Sequence, residues 1–248
     1  MNEFVDEKRI TTIKTIFLHL FPGIVNLSVM LLLLRLTEYL GSFSLAIPYF
    51  MVVISIVPLQ MGYLFYIAKK TKGTYKITKI IPYQNNSKFV EYLIFIVIIS
   101  SWAILVSRTF ESFEIIIRDR IFAFVPNIIA LRNIDLTLFS KNELLFTAIF
   151  GIFANGLLAP ITEELYFRGY LLPRINLSLK WAVLLNASLF SLYHFFSPWL
   201  FFSRLFMMMP IYYWTVKRKN IRFALSAHLI ANLYTNIRML ILILSKLS

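Results

Sequence analysis

The stretch LLFTAIFGIFANGLLAPITEELYFRGY, residues 144–170, decides the fold, because an apolar run of membrane-spanning length ends in charged side chains. Residues 144–159 carry no charge, and Glu163, Glu164 and Arg168 follow closely. A charge at the centre of a membrane helix costs about 2.5–3.5 kcal/mol on insertion scales, so such groups are usually paired, inward-facing and functional. On a helix, Glu164 and Arg168 share one face, whereas Glu163 points about 100° away. We predict a structural Glu164–Arg168 pair and a Glu163 that is free for chemistry.

The composition is that of a membrane protein. Of 248 residues, 59% are hydrophobic and 15% are charged, and the mean hydropathy is +0.74. Soluble domains have roughly 45–50% apolar and about 25% charged residues. We predict an all-α, polytopic transmembrane helical bundle that forms a single membrane domain over residues 1–248. The sequence has no cysteine, which excludes disulfides, thiolate metal sites and a cysteine nucleophile.

Seven apolar runs approach the length of about 20 residues that a membrane helix needs. The predicted spans are Ile16–Leu34, Leu45–Ala68, Phe89–Val106, Leu144–Ile161, Trp181–Phe196, Trp199–Val216 and Phe223–Leu244. Between the third and fourth spans, residues 108–142 mix charges with apolar residues at helical spacing and predict an interfacial amphipathic helix. The short apolar run Ile121–Ala130 leaves a re-entrant segment or an eighth span open.

The basic residues predict the orientation of the chain. Residues 69–88 and 217–222 hold six and four basic side chains and no acidic ones, so both loops should be cytoplasmic. Alternating spans then place the N-terminus in the cytoplasm and the C-terminus outside. The net charge of +13 fits basic loops beside anionic lipid, and no basic run resembles a nucleic-acid-reading module. The Lys-, Ile- and Asn-rich composition is typical of low-GC bacteria and predicts a bacterial cell membrane.

Polar side chains in two later spans can complete a site around Glu163. Phe190 and His194 are four residues apart, as are His228 and Asn232, so each pair shares a helix face. Because no water satisfies polar groups in the bilayer core, we expect these groups to contact one another. Glu163 and His194 could hold a water and accept its proton, while His228 and Asn232 could stabilise an oxyanion. Amide hydrolysis by an activated water requires these functions.

The same residue types leave a metal site open. Glu163, His194 and His228 provide one carboxylate and two imidazoles, which is a zinc ligand set with an open position. The sequence has no His-Glu-x-x-His, so the ligands would come from three separate helices. We favour a site without a metal and keep zinc as the alternative. His19, alone in the first span, is expected to be a packed, hydrogen-bonded helix contact.

Three motifs in this order resemble the CAAX protease and bacteriocin-processing (CPBP, Abi) family. The family patterns are Glu-Glu-x-x-x-Arg, Phe-x-x-x-His and His-x-x-x-Asn, and the chain matches them from Glu163 to Arg168, from Phe190 to His194 and from His228 to Asn232. The resemblance covers residues 144–237 and implies a catalytic core there. It implies an intramembrane endopeptidase, related to type II CAAX prenyl endopeptidases, whose site opens toward the cytoplasm.

The resemblance also implies roles for individual residues. Glu163 would be the water-activating base with His194 as its partner, and His228 with Asn232 would form the oxyanion site. Glu164 and Arg168 would be structural, and Phe190 belongs to the second motif. Family members are described both as metalloproteases and as glutamate-dependent proteases, so the resemblance does not decide between zinc and no metal.

We therefore expect an endopeptidase that cleaves membrane-associated peptides or proteins, either of the prenylated CAAX type or as a processor of bacteriocins or signal peptides. One rival is a non-enzymatic bacteriocin-immunity or scaffold protein that keeps the polar cluster for packing. A second rival is a proton-coupled transporter, because intramembrane Glu and His also form proton relays. Transporters often have inverted repeats with broken helices in both halves, whereas the ionisable cluster here lies in one half. The oligomeric state is open.

Overall fold

The computed structural model describes residues 9–40, 44–130 and 132–247, and seven long helices account for most of them. They are α1 (Thr12–Leu40), α2 (Ile47–Lys72), α3 (Phe89–Ile121), α4 (Lys141–Arg174), α5 (Leu179–Tyr193), α6 (Phe201–Arg218) and α7 (Arg222–Leu247). Helices α1, α2, α3, α4 and α7 are long and apolar enough to cross a membrane, and α5 is a shorter apolar helix. The predicted all-α transmembrane bundle is confirmed. The predicted cytoplasmic N-terminus, residues 1–8, lies outside the described residues.

Two of the long helices widen just before an internal proline. Helix α2 is π-helical over Val52–Ile56, ahead of Pro58, and α4 is π-helical over Ile152–Leu158, ahead of Pro160. Proline has no N–H, and its ring clashes with the carbonyl four residues earlier, so a regular α-helical turn is disrupted there. The wider π turns accommodate this disruption without ending the helices. Helix α4 therefore continues past Pro160 and carries both glutamates into the bundle.

Helix α3 is longer than the third span that the sequence predicts. The prediction ends this span at Val106 and begins a separate interfacial helix at Arg108, but one 33-residue helix runs to Ile121. The sequence from Phe89 to Ile121 contains no proline or glycine, so nothing ends the helix earlier. A helix of this length extends for about 50 Å, against about 30 Å of hydrocarbon core. Its charged end therefore extends beyond the hydrocarbon core, and in the described part of residues 122–140 the helical segments are the short Asn127–Ala130 and Leu136–Leu138.

The three helices that carry the motifs meet in the middle of the bundle. Helix α4 packs against α2 and α7, and α5 packs against α1 and α6. The largest core cluster includes Phe167, Phe190 and Tyr212 from α4, α5 and α6. Helix α1 approaches α5 closely at Gly23, where a Cβ atom would collide with the carbonyl of Tyr193. This close approach brings α1 to the end of α5, where the second motif lies.

Candidate active site

Glu164 lies in an enclosed position and has two partners on different helices. Its Oε1 is 3.3 Å from Arg168 Nη1 in the same helix and accepts a hydrogen bond from His228 Nδ1 of α7 at 2.8 Å. Glu164 and Arg168 are fully buried, and His228 is 7% exposed. The ion pair expected from the spacing is present. The bond to His228 is an addition that spacing alone does not reveal, and it fixes the imidazole so that Nε2 is its available nitrogen.

The Arg168 guanidinium is held between two aromatic rings. Its Cζ lies 3.8 Å from the ring centroid of Phe190 and 3.8 Å from that of Tyr212. Aromatic faces attract cations, and the attraction is stronger away from water. The Phe190 ring also lies with its centroid 4.8 Å from that of His194 and 6.2 Å from that of His228. Phe190 is therefore in contact range of the other two motifs.

Glu163 is 4% exposed and faces a different set of groups. Its Oε1 accepts a hydrogen bond of 3.2 Å from the Tyr193 hydroxyl, and its Oε2 is 3.9 Å from His228 Nε2. A separation of 3.9 Å is too long for a direct hydrogen bond. It is a distance at which one water can bridge the two atoms. In the described part of the chain, the hydrogen bonds and ion pairs of Glu163 go to Tyr193 and His228, and not to His194.

A buried chain of uncharged polar groups supports the Tyr193 hydroxyl. Asn26 of α1 donates to it at 2.8 Å and Gln60 of α2 at 3.1 Å, while the Ser55 hydroxyl donates to Asn26 Oδ1 at 2.7 Å. All four residues are at most 2% exposed. None of the four occupies a defining position of a motif, so the sequence pattern does not single them out. The signal that could have found them is an amide side chain inside an otherwise apolar span, since such a group needs a partner there.

His194 and Asn232 lie at the more accessible side of the site. Helix α5 ends at Tyr193, so His194 lies just beyond the helix, where its Nδ1 is hydrogen-bonded at 2.8 Å to the Phe190 carbonyl. Asn232 Nδ2 donates to the Asn155 carbonyl of α4 at 2.9 Å. Both side chains are half-buried. His194 Nε2 and the second N–H of the Asn232 amide remain available to a ligand.

His19 belongs to a separate cluster. Its Nδ1 is bonded to the Thr15 carbonyl at 2.8 Å, and Asn186 Nδ2 lies 2.9 Å from its Nε2. Asn186 also donates to the Phe167 carbonyl at 3.1 Å, which joins α1, α4 and α5. His19 is therefore a buried, hydrogen-bonded helix contact, as the sequence suggests.

The donor atoms around Glu163 do not fit a zinc ion in this geometry. Across residues 9–40, 44–130 and 132–247, no three His, Cys, Asp or Glu side chains are grouped as a metal ion requires. Both imidazoles have Nδ1 occupied, by Glu164 for His228 and by the Phe190 carbonyl for His194, so each ring offers a ligand only Nε2. The mechanism below therefore uses no metal, and zinc stays an untested prediction.

Comparison with known proteins finds a family model that matches the part of the chain with the three motifs. A family model described as type II CAAX prenyl endopeptidase Rce1-like matches residues 145–234, which include all three motifs. These residues are therefore an Rce1-like region of the chain. The predicted relationship to CAAX proteases is confirmed, and the Rce1-like region implies a protease in a membrane. No curated protein and no solved structure matches the chain.

The Rce1-like match and the five candidate membrane helices together identify an integral membrane protein. The match begins four residues into α4 and ends within α7. It therefore leaves out α1 and α2, which supply Asn26, Ser55 and Gln60 to the site. The site as folded extends beyond the part of the chain that the family describes.

Proposed function

We propose that this protein is an intramembrane endopeptidase in which Glu163 activates a water for attack on a peptide bond. The observation that carries the proposal is the 3.9 Å separation of Glu163 Oε2 and His228 Nε2, two buried groups able to hold one water between them. A carboxylate within reach of such a water can act as a general base. Each group is oriented by a hydrogen bond at its second polar atom. Tyr193 donates to Glu163 Oε1, and Glu164 accepts from His228 Nδ1.

In the proposed reaction, the water oxygen bonds to the carbonyl carbon of the peptide while one water proton moves to Glu163. The carbonyl π electrons move to the oxygen, which becomes an oxyanion. When the oxyanion collapses, the C–N bond breaks and Glu163 returns the proton to the leaving nitrogen. The products are a carboxylic acid and an amine. His228 Nε2 accepts a hydrogen bond from the second O–H of the water and so orients the water oxygen toward the carbonyl carbon.

We assign the oxyanion to the half-buried side of the site, where the second N–H of the Asn232 amide is free to donate. His194 lies on the same side, but its Nδ1 donates to the Phe190 carbonyl, so its Nε2 accepts in the neutral ring and donates only when the imidazole is protonated. Donors fixed in a site with little water stabilise a developing oxyanion by about 3–4 kcal/mol each. This assignment moves His228 from the oxyanion site, where the sequence places it, to the water, where the sequence places His194. Its support is that Glu163 contacts His228 and has no polar contact with His194 among the described residues.

For the substrate we propose a membrane-associated peptide or protein with a CAAX-type C-terminus, following the description of the Rce1-like family. Peptides without a prenyl group, such as bacteriocins or signal peptides, are the alternative. We keep the orientation predicted from the basic loops, with residues 69–88 in the cytoplasm of a bacterial cell.

The test is cleavage of a synthetic peptide by the purified full-length chain in liposomes. A farnesylated peptide ending in Cys-aliphatic-aliphatic-X is compared with the same peptide without the farnesyl group. We expect the Glu163→Gln variant to lose about 10²–10⁴-fold in kcat, the usual contribution of a general base. The matched control is Glu143→Gln, because Glu143 lies in the first turn of the same helix, away from the site.

Four further outcomes would decide the remaining questions. Full activity of Glu163→Gln contradicts the mechanism, and absence of cleavage by wild type for both peptides favours a non-enzymatic immunity or scaffold role. Activity that survives chelation supports the metal-free mechanism. Activity that chelation removes and zinc alone restores would replace it with a metalloprotease mechanism.

A further inference from the structure

Arg204 of α6 is a cation beside the proposed active site that belongs to none of the three motifs. Its Nη1 donates to the Ser191 carbonyl at 3.3 Å, and its Nη2 donates to the Ser197 hydroxyl at 2.9 Å. These two residues stand three positions before and three positions after His194. The guanidinium therefore lies across the turn that presents His194, at the half-buried side of the site.

Among the residues that the structure describes, Arg204 has no counter-ion in contact with it. Its interactions with Glu163 and with His194 are through space. Glu114 of α3 also acts on Arg204. In the described chain, no carboxylate lies within the 4.0 Å ion-pair distance of Arg204. A half-buried cation in a membrane is costly without a counter-ion.

Arg168 is an arginine of this bundle that has a counter-ion, although its guanidinium nitrogens make no hydrogen bond among the described residues. It is fully buried, paired with Glu164 at 3.3 Å and enclosed by two aromatic rings. Arg204 is half-buried, and its hydrogen bonds go to one carbonyl and one hydroxyl, neither of which is charged. A guanidinium has five N–H donors in a planar arrangement that matches a carboxylate. Two of the five are used, so Arg204 can still bind an anion.

We infer that Arg204 binds the C-terminal carboxylate of the substrate, an inference that rests on the proposed endopeptidase function. A CAAX sequence is the last four residues of a protein. Every peptide bond within it lies within about three residues, or about 10 Å of extended chain, of the terminal carboxylate. A cation that is hydrogen-bonded to both sides of the turn that carries His194 is placed to meet that carboxylate when a bond of the CAAX sequence reaches Glu163. Arg204 is then a specificity residue and contacts substrate without taking part in bond cleavage.

The experiment compares two substrates before any residue is changed. The purified full-length chain in liposomes is given a farnesylated CAAX-type peptide with a free C-terminal carboxylate and the same peptide with a C-terminal amide. We expect kcat/KM to be about 10- to 100-fold higher for the free carboxylate, the effect of a hydrogen-bonded charge. Equal kcat/KM values for the two peptides would overturn the inference while leaving the endopeptidase function intact. If neither peptide were cleaved, both the proposed function and this inference would be wrong.

Arg204→Gln tests the residue itself. We expect the ratio of the two kcat/KM values to fall toward one, because the variant can no longer distinguish carboxylate from amide. Arg204→Lys keeps the charge but loses the planar pair of donors, so an intermediate ratio is expected. The matched control is Arg218→Gln on the same helix, where Arg218 is exposed and 3.9 Å from Glu91; its ratio should equal that of wild type. If Arg204→Gln slowed both peptides equally and kept the ratio, Arg204 would only support the His194 turn, and the inference would be wrong.

Discussion

Glu163 and Glu164 are neighbours in the sequence, yet the bundle gives their side chains opposite surroundings. Glu164 is fully buried and has an arginine and an imidazole against the same carboxylate oxygen. Glu163 receives one hydroxyl hydrogen bond and faces an imidazole nitrogen across 3.9 Å. The first arrangement already holds a cation and a hydrogen-bond donor against the carboxylate, whereas the second leaves one carboxylate oxygen available to a water. A residue's position in a motif therefore says less about its role than the partners that other helices bring to it.

His228 connects the two surroundings, because its two ring nitrogens face different glutamates. Nδ1 is bonded to Glu164 and Nε2 faces Glu163. A carboxylate bonded to one nitrogen of a histidine fixes the tautomer and the ring orientation. Glu164 is thus expected to act on the reaction through His228, in addition to holding Arg168. We call Glu164 and the groups around Arg168 the Glu164 side, and Glu163 with Tyr193 the Glu163 side. We predict that substitutions that remove a charge on the Glu164 side reduce stability more than substitutions on the Glu163 side.

The largest effect on stability is expected for Glu164→Gln. The substitution leaves Arg168 as a buried cation without its carboxylate, and breaking a buried pair in this way costs about 3–5 kcal/mol. Equilibrium unfolding in detergent micelles measures the loss. Glu163→Gln, which keeps an acceptor for the Tyr193 hydroxyl, should cost clearly less.

The control for this prediction removes both charges. The double variant Glu164→Gln with Arg168→Met should recover part of the stability lost in Glu164→Gln, because no unpaired charge then remains. If Glu163→Gln destabilised the protein as much as Glu164→Gln, the two carboxylates would not differ as the contacts indicate.

The sequence could predict the parts of this comparison that depend on local spacing. Glu164 and Arg168 pair because four residues bring them to one face, and the apolar runs predict most of the helices. The sequence could not predict the partner of Glu163, because the rotation of α7 against α4 decides whether His228 or His194 faces this carboxylate. That rotation depends on packing between residues about 65 positions apart, for which one sequence has no pattern.

The support of Glu163 from the first half of the chain could not be predicted either. Tyr193 is bonded to Asn26 and Gln60, which lie 167 and 133 positions away in the sequence. Only the folded bundle brings α1 and α2 to the end of α5. The isolated amides in apolar spans could have indicated that partners were needed, but not which ones.

A smaller effect, on the Glu163 side, is expected for Tyr193→Phe. The hydroxyl accepts from Asn26 and Gln60 and donates to Glu163, so its removal leaves buried polar groups without a partner. Such a loss costs about 1–3 kcal/mol. We expect kcat to fall together with stability, because the Glu163 carboxylate is no longer held, while KM changes little. Unfolding in micelles and peptide cleavage in liposomes measure the two effects.

Tyr213→Phe is the matched control for this substitution, because Tyr213 is exposed on α6. It should leave both unfolding and kcat near the wild-type values. Equal behaviour of Tyr193→Phe and Tyr213→Phe would show that the buried chain of polar groups does not support Glu163.

The smallest effect is expected for Phe190→Leu, which acts on the Glu164 side without removing a charge. The substitution keeps an apolar side chain but removes one of the two aromatic faces that hold Arg168. Cation–π contacts away from water contribute up to about 2 kcal/mol, so we expect a loss of about 1–2 kcal/mol in the free energy of unfolding. In an Arg168→Met background the same substitution should cost less, because the cation is gone. An equal cost in both backgrounds would mean that Phe190 acts only by packing, and that the enclosure of Arg168 depends on Glu164 and Tyr212.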